Sequence, residues 1–192
     1  SRLVQWLSER AHETGAGRPM RAVFSPSSPH GDSLQKMGKD AMRLGDLSDE
    51  ALAKRVHGTL KPLGAPDDEI DVLTAMFQVP TMIDMLDGRG GVRFTHWREF
   101  YTGTRNGLYR LSRERPLVAW FDDVQWGSTG TACAHQILDT QDEDPFPSLF
   151  VLTVRDEAVA PDSYEAEAIE KFVAREDVIE IHLEPLAGQK RV

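Results

Sequence analysis

Cysteine is nearly absent: Cys133 is the one thiol in 192 residues, so no disulfide within the chain can staple the fold. A lone thiol suits a reducing compartment, and no basic-then-apolar leader opens the sequence, which together predict a cytoplasmic location. Long apolar runs are missing too. The longest, Leu117 to Phe121 and Leu149 to Leu152, fall far short of the roughly 18 residues of a membrane span, so no membrane contact is expected. Basic residues are in deficit, 22 Lys and Arg against 31 Asp and Glu for a net charge of −9. A field of that sign repels phosphate backbones, and direct nucleic acid contact is not expected. The histidines His12, His30, His57, His96, His135 and His182 show no His-x-x-x-His spacing, and with one cysteine they predict no zinc site. No Gly-x-Ser-x-Gly elbow marks a serine hydrolase, and Cys133, between Ala132 and Ala134, reads as a small core residue. The run Gln141-Asp142-Glu143-Asp144 lacks the spacing and glycine of a calcium loop. Also missing is Gly-x-x-x-x-Gly-Lys-Ser/Thr: Gly38-Lys39 is followed by Asp40, and Asp87-Gly88-Arg89-Gly90-Gly91 has no Lys-Ser ending.

What is present is a globular composition, 40% hydrophobic and 28% charged, in a length that suits one domain or a large part of a bigger one. Leu3, Val4, Leu7 and Ala11 predict a helix from Ser1 to Thr14, stopped by Gly15-Ala16-Gly17. Ala22-Val23-Phe24 reads as a short strand that ends in the serine and proline loop from Ser25 to Pro29. Helical periodicity then dominates: Ser33 to Leu44, Asp49 to Leu60, Asp67 to Phe77, and a long helix from Val92 to Arg113, expected to be interrupted or loosened near Gly103 and Gly107 and closed by Pro116. Met76, Met82 and Met85 read as packing within this block. The second half changes character. Leu117 to Phe121 and Leu149 to Val154 have the near-continuous apolar pattern of strands buried on both faces of a parallel sheet, with a crossover helix near Thr129 to Asp139. A helix from Tyr164 to Ala174 and an alternating segment from Val178 to Leu183, read as a further strand, complete an α/β fold. The helical block from 27 to 113 sits between strands as an insertion would.

The chemistry concentrates at strand ends. Leu117-Val118-Ala119-Trp120-Phe121 runs into Asp122-Asp123, and in a parallel α/β sheet ligands bind beyond the carboxyl ends of the strands. Two adjacent acids suit a division of labour, one holding Mg²⁺ through water while the other orients and deprotonates an attacking water. A strand followed by a solvated acidic turn gives the same pattern. The next strand ends at Arg155-Asp156-Glu157, which delivers a guanidinium to the same rim, suited to bind a terminal phosphate bidentately. Arg155 otherwise pairs with Asp156, Glu157 or Asp122 as a structural ion pair. Gln125 either helps place the water or bonds the backbone of its turn, and Trp126 reads as packing.

These segments resemble a known group. Leu117 to Trp126, LVAWFDDVQW, looks like the Walker B segment of P-loop ATPases of the STAND and related AAA type, and Leu152 to Glu157, LTVRDE, resembles their strand-end motif whose Arg senses the γ-phosphate. The opening SRLVQWLSERAHETGAG resembles the helix that follows the phosphate loop, with Ser1 matching the Ser of a Gly-Lys-Ser ending, and the closing IHLEPLAGQKRV looks like the last sheet strand and its junction to a helical lid. The block from 27 to 113 matches only in helical content and position.

The resemblance implies a three-layer parallel sheet of the P-loop NTPase type with a helical insertion, ATP and Mg²⁺ as ligands, Asp122 and Ser1 on the metal, Asp123 as catalytic base, Arg155 as phosphate sensor, and Gln125 beside the nucleotide. It implies a regulatory switch within a larger multidomain signalling protein, linked to kinase, cyclase or transcription-regulator outputs, with nucleotide-dependent self-association. The alternative is a non-catalytic nucleotide-binding or interaction scaffold on the same fold. Since the phosphate loop is not in the sequence and Ser1 stands where that loop would end, the chain is expected to be a fragment, inactive alone and missing its first, central strand.

Overall fold

The computed structural model describes residues 2–27, 32–79, 84, 87, 94, 96–141 and 143–183. Ser1, Met82 and Met85 lie outside them, as do Gly88 to Gly91. The chain forms α1 (Arg2–Glu13), β1 (Arg18–Val23), α2 (Asp32–Met42), α3 (Asp49–Leu60), α4 (Asp67–Gln78), α5 (Trp97–Ser112), β2 (Leu117–Asp122), α6 (Ser128–Asp139), β3 (Ser148–Leu152) and α7 (Tyr164–Val173). The strands pair in parallel in the order β1-β2-β3, with Met20 opposite Ala119 and Ala119 opposite Phe150. The fold is therefore α/β, with a parallel sheet of three strands among the described residues.

Each strand follows from its residues. All six positions of β2 are buried, as a central parallel strand requires. Its pleat sends Leu117, Ala119 and Phe121 into the main core, where Phe121 meets Phe24 and Phe150 edge-on at 6.2 and 5.8 Å. β1 begins earlier than its apolar residues suggest: Met20 and Ala22 face the core, while Pro19, Arg21 and Val23 alternate onto the other face. β3 departs from the two-sided burial read from its composition: Leu149 is 49% exposed and no position of β3 is fully buried. Its outer edge has no strand beside it among the described residues.

That edge also explains a correction. Val178 to Leu183 alternates like a strand but forms none; Ile179, Ile181 and Leu183 are 86%, 71% and 70% exposed. Period-two patterning makes a strand only where a neighbour accepts its backbone hydrogen bonds, and this segment pairs with neither outer edge of the sheet, β1 or β3. Leu3 is likewise exposed on α1, along with Trp6, so α1 leans on β1 and β2 through half-buried Val4, Leu7 and Ala11.

The helical block closes one side of the sheet. Val56, Leu60, Leu73, Met76, Phe100 and Leu111 are nearly inaccessible and continue the core that holds Phe121. Polar fasteners tie the helices: Gln35 on α2 donates to the carbonyls of Met76 and Val79 (2.8 Å to the latter), and Arg110 on α5 clasps Glu69 on α4 at 2.9 and 3.0 Å. Cys133 on α6 is fully buried, which pushes its thiol up to about 12, so it packs and is not a thiolate at neutral pH.

Candidate functional site

Strand order alone brings the predicted acids and guanidinium together. β2 ends at Asp122, and β3 beside it runs out at Leu152, so Thr153 and Arg155 reach the same rim. The two strands stay coupled past their formal ends. The Thr153 amide donates to the Phe121 carbonyl at 2.9 Å, and the Val124 amide donates to the Thr153 carbonyl at 3.1 Å.

Between these bonds the chain turns sharply at Asp123, whose φ of 60° and ψ of 47° are left-handed. Asp tolerates that region better than most residues because its short polar side chain bonds locally. A single 3₁₀ turn, Val124–Trp126, follows. Asp122 and Asp123 thus leave the strand in different directions. Asp122 is 3% exposed; one carboxylate oxygen accepts from the Thr153 hydroxyl at 2.6 Å and the other from the Arg21 guanidinium. Arg21 in turn lies over the Trp120 ring, 4.0 Å from its centroid, a stacking that holds the fork in place. Asp123 receives a two-pronged clasp from Arg155, Nε to Oδ1 at 3.0 Å and Nη2 to Oδ2 at 2.9 Å. The rim therefore carries two acids and two guanidinium groups in charge balance, each acid held by its own arginine.

The Arg155 side chain bonds Asp123 and not Asp156 or Glu157, its neighbours in sequence. Gln125, 4% exposed, accepts the Arg155 amide at 3.2 Å through its side-chain oxygen; its nitrogen has no hydrogen-bond partner among the described residues. Gln125 therefore braces the backbone that presents Arg155. Trp126 is 39% exposed at the turn's end. Ser1 lies outside the described residues.

Two contributors escape a reading of the sequence. Arg21 lies ahead of the Ala22-Val23-Phe24 run read as the strand, and Thr153 is one hydroxyl in an apolar run; only the register Arg21 opposite Trp120 and Val23 opposite Asp122 reveals the first. A cleft of about 630 Å³ lies elsewhere, between α5, α6 and α7, with Tyr101, His135, Tyr164 and Lys171 in its wall. None of the rim residues lines it, so the strand ends and this cleft are separate features.

The donor set can be tested against Mg²⁺ and a nucleotide. Among the described residues no three His, Cys, Asp or Glu side chains gather as a metal cage, and both Asp122 oxygens are already engaged. Two adjacent carboxylates without a cage suit a hydrated Mg²⁺, which keeps several waters and takes only one or two protein carboxylates. Both oxygens of each acid accept from side-chain donors, and the Arg155 guanidinium is turned to Asp123. Comparison with known protein families, with curated proteins and with solved structures finds no match to this chain. No helix among the described residues is long and apolar enough to cross a membrane.

Proposed function

We propose that this chain is the nucleotide-binding core of a P-loop ATPase of the STAND and AAA type, acting as an ATP-driven regulatory switch in a multidomain cytoplasmic signalling protein. The observation that carries the reading is the meeting of Asp122, Asp123 and Arg155 at the carboxyl ends of adjacent parallel strands. Asp122 would hold hydrated Mg²⁺, which supplies charge to offset the phosphates. Asp123 takes the proton of the attacking water once Arg155 leaves it, and Arg155 turns to the terminal phosphate.

The reading also requires an amide cradle for the phosphates, and an upstream strand and Gly-x-x-x-x-Gly-Lys loop would supply it. Such a strand would sit on the open edge of β3 and give the exposed Ile179, Ile181 and Leu183 a partner. The residues encoded ahead of Ser1 test this: anything other than an apolar strand and that loop removes Ser1 from the metal. For the function itself, the full-length protein should hydrolyse ATP in a Mg²⁺-dependent way. Absence of both nucleotide binding and turnover would overturn it.

A second reading, a non-catalytic scaffold, draws on the same rim, since each carboxylate is neutralised by its own arginine. Nucleotide bound but left intact would favour it.

A further inference from the structure

The hydroxyl of Thr153 lies between the two acids and touches both. It donates to Asp122 Oδ1 at 2.6 Å, accepts the Asp123 amide at 3.2 Å, and lies 3.4 Å from the Trp120 indole nitrogen, which also donates to it. A hydroxyl has one proton and two lone pairs; here the proton goes to the carboxylate and the lone pairs take the two N–H groups. Every bonding capacity of this side chain is spent on β2 and the turn that follows it. The backbone of Thr153 adds its own two bonds, to Phe121 and Val124, so one residue brackets the strand end on both sides of the acids.

On this geometry, and resting on the ATPase reading above, we infer that Thr153 is the positioning residue of the site. Its hydroxyl fixes the direction of the Asp122 carboxylate and holds the left-handed turn that aims Asp123. The hydroxyl touches no reacting atom; it acts through the two acids. Arg21 alone does not do this work, because its guanidinium is half exposed and reaches only Asp122. Valine has the shape of threonine without the hydrogen bonds, and serine has the hydroxyl without the methyl group, so the pair separates positioning from packing.

The experiment uses the full-length protein as wild type, Thr153→Val and Thr153→Ser, read by steady-state ATP hydrolysis and by amide hydrogen exchange. Thr153→Val should lower kcat about tenfold or more with KM for ATP little changed, and Thr153→Ser should restore most of it. In the valine variant the Asp123 amide loses its acceptor and should exchange about fivefold faster. The Val124 amide keeps the Thr153 carbonyl and should not change. Should the valine variant not fold, Thr153→Ala carries the same expectations. Unaltered kcat in the valine variant overturns the inference, as does faster exchange at Asp123 and Val124 alike, which would mean a loosened strand end. A wild type without turnover defeats the ATPase reading and takes this inference with it, and the wild-type arm alone tells that failure from the other two.

Discussion

Arg155 holds Asp123 by both carboxylate oxygens, at 3.0 and 2.9 Å. The proposed sensor and the proposed base therefore occupy each other, and each must leave the other to act. Because the arginine side chain is 60% exposed, water screens the pair, and its worth to the fold is at most about 1 kcal/mol.

That separates two roles for Arg155. Arg155→Ala should leave the melting temperature within a few degrees of wild type. It should spare ADP binding and weaken binding of a non-hydrolysable ATP analogue, since only the latter has the terminal phosphate this guanidinium would touch. Calorimetric affinities for both nucleotides decide it. Equal loss for both, or none for either, would leave Arg155 a surface ion-pair residue.

Asp123→Asn keeps the size of the side chain and its ease in the left-handed region, so the turn at φ 60° should persist. What goes is the carboxylate that would accept a proton from water. Nucleotide binding should survive while hydrolysis falls by about 10²-fold or more. Single-turnover hydrolysis beside equilibrium binding checks this, and parallel losses in both would mean that Asp123 serves binding alone.

The site was legible in the sequence as far as strand logic reaches. A buried apolar run ending in two acids, followed by a second ending in arginine, is enough to predict that Asp122, Asp123 and Arg155 share a rim, because parallel strands end together. It is not enough to predict who pairs with whom. Arg155 lies closer in sequence to Asp156 and Glu157, yet the left-handed turn carries Asp123 across to it. Arg21 was hidden because its role depends on register with a strand about a hundred residues away. The central helices were read well from period, since each buries a stripe against one core, but α5 runs unbroken through Gly103 and Gly107, where a break was expected, because both glycines are buried against Met76 and Leu73 of α4. Val178 to Leu183 was misread for the opposite reason: alternation encodes two faces, but a strand also needs backbone pairing, and this segment pairs with no described strand.

Histidine 135 gives a pH dependence with a definite sign. His135 sits on α6 against Phe172, with ring centroids 5.1 Å apart. Its pKa is lowered first by burial and next by Arg175, while Asp139, Asp177 and a backbone bond at Ala168 oppose the shift in part. The folded protein thus prefers the neutral ring, and the unfolded chain protonates near its ordinary value of about 6.5. Between the lowered value and about 6.5 the unfolded chain binds more protons, so stability rises with pH there and is lost as pH falls through that window. Urea unfolding from pH 8 to pH 5 should show this loss, and His135→Gln should flatten part of it. A slope unchanged by the substitution would assign the loss to other groups.

Two glycine substitutions should move stability in opposite directions for reasons visible in the packing. At Gly130 on α6, a Cβ would lie 2.5 Å from Phe24 Cζ and 2.8 Å from its Cε2, closer than carbon atoms can approach. Phe24 is 4% exposed and wedged edge-on against Phe121, so its ring cannot swing aside without opening the core under the strand ends. Gly130→Ala should therefore cost about 1–3 kcal/mol despite the better helix propensity of alanine. At Gly58 on α3, a Cβ meets nothing within 4 Å, and the substitution brings only the reduced entropy of the unfolded chain and the helix preference. Gly58→Ala should stabilise by about 0.5–1 kcal/mol. Denaturant midpoints of the two variants, measured beside wild type, check both signs. A neutral Gly130→Ala would mean that Phe24 yields more readily than its burial implies, and that the support beneath Asp122 is softer than the packing of Phe24 and Phe121 requires.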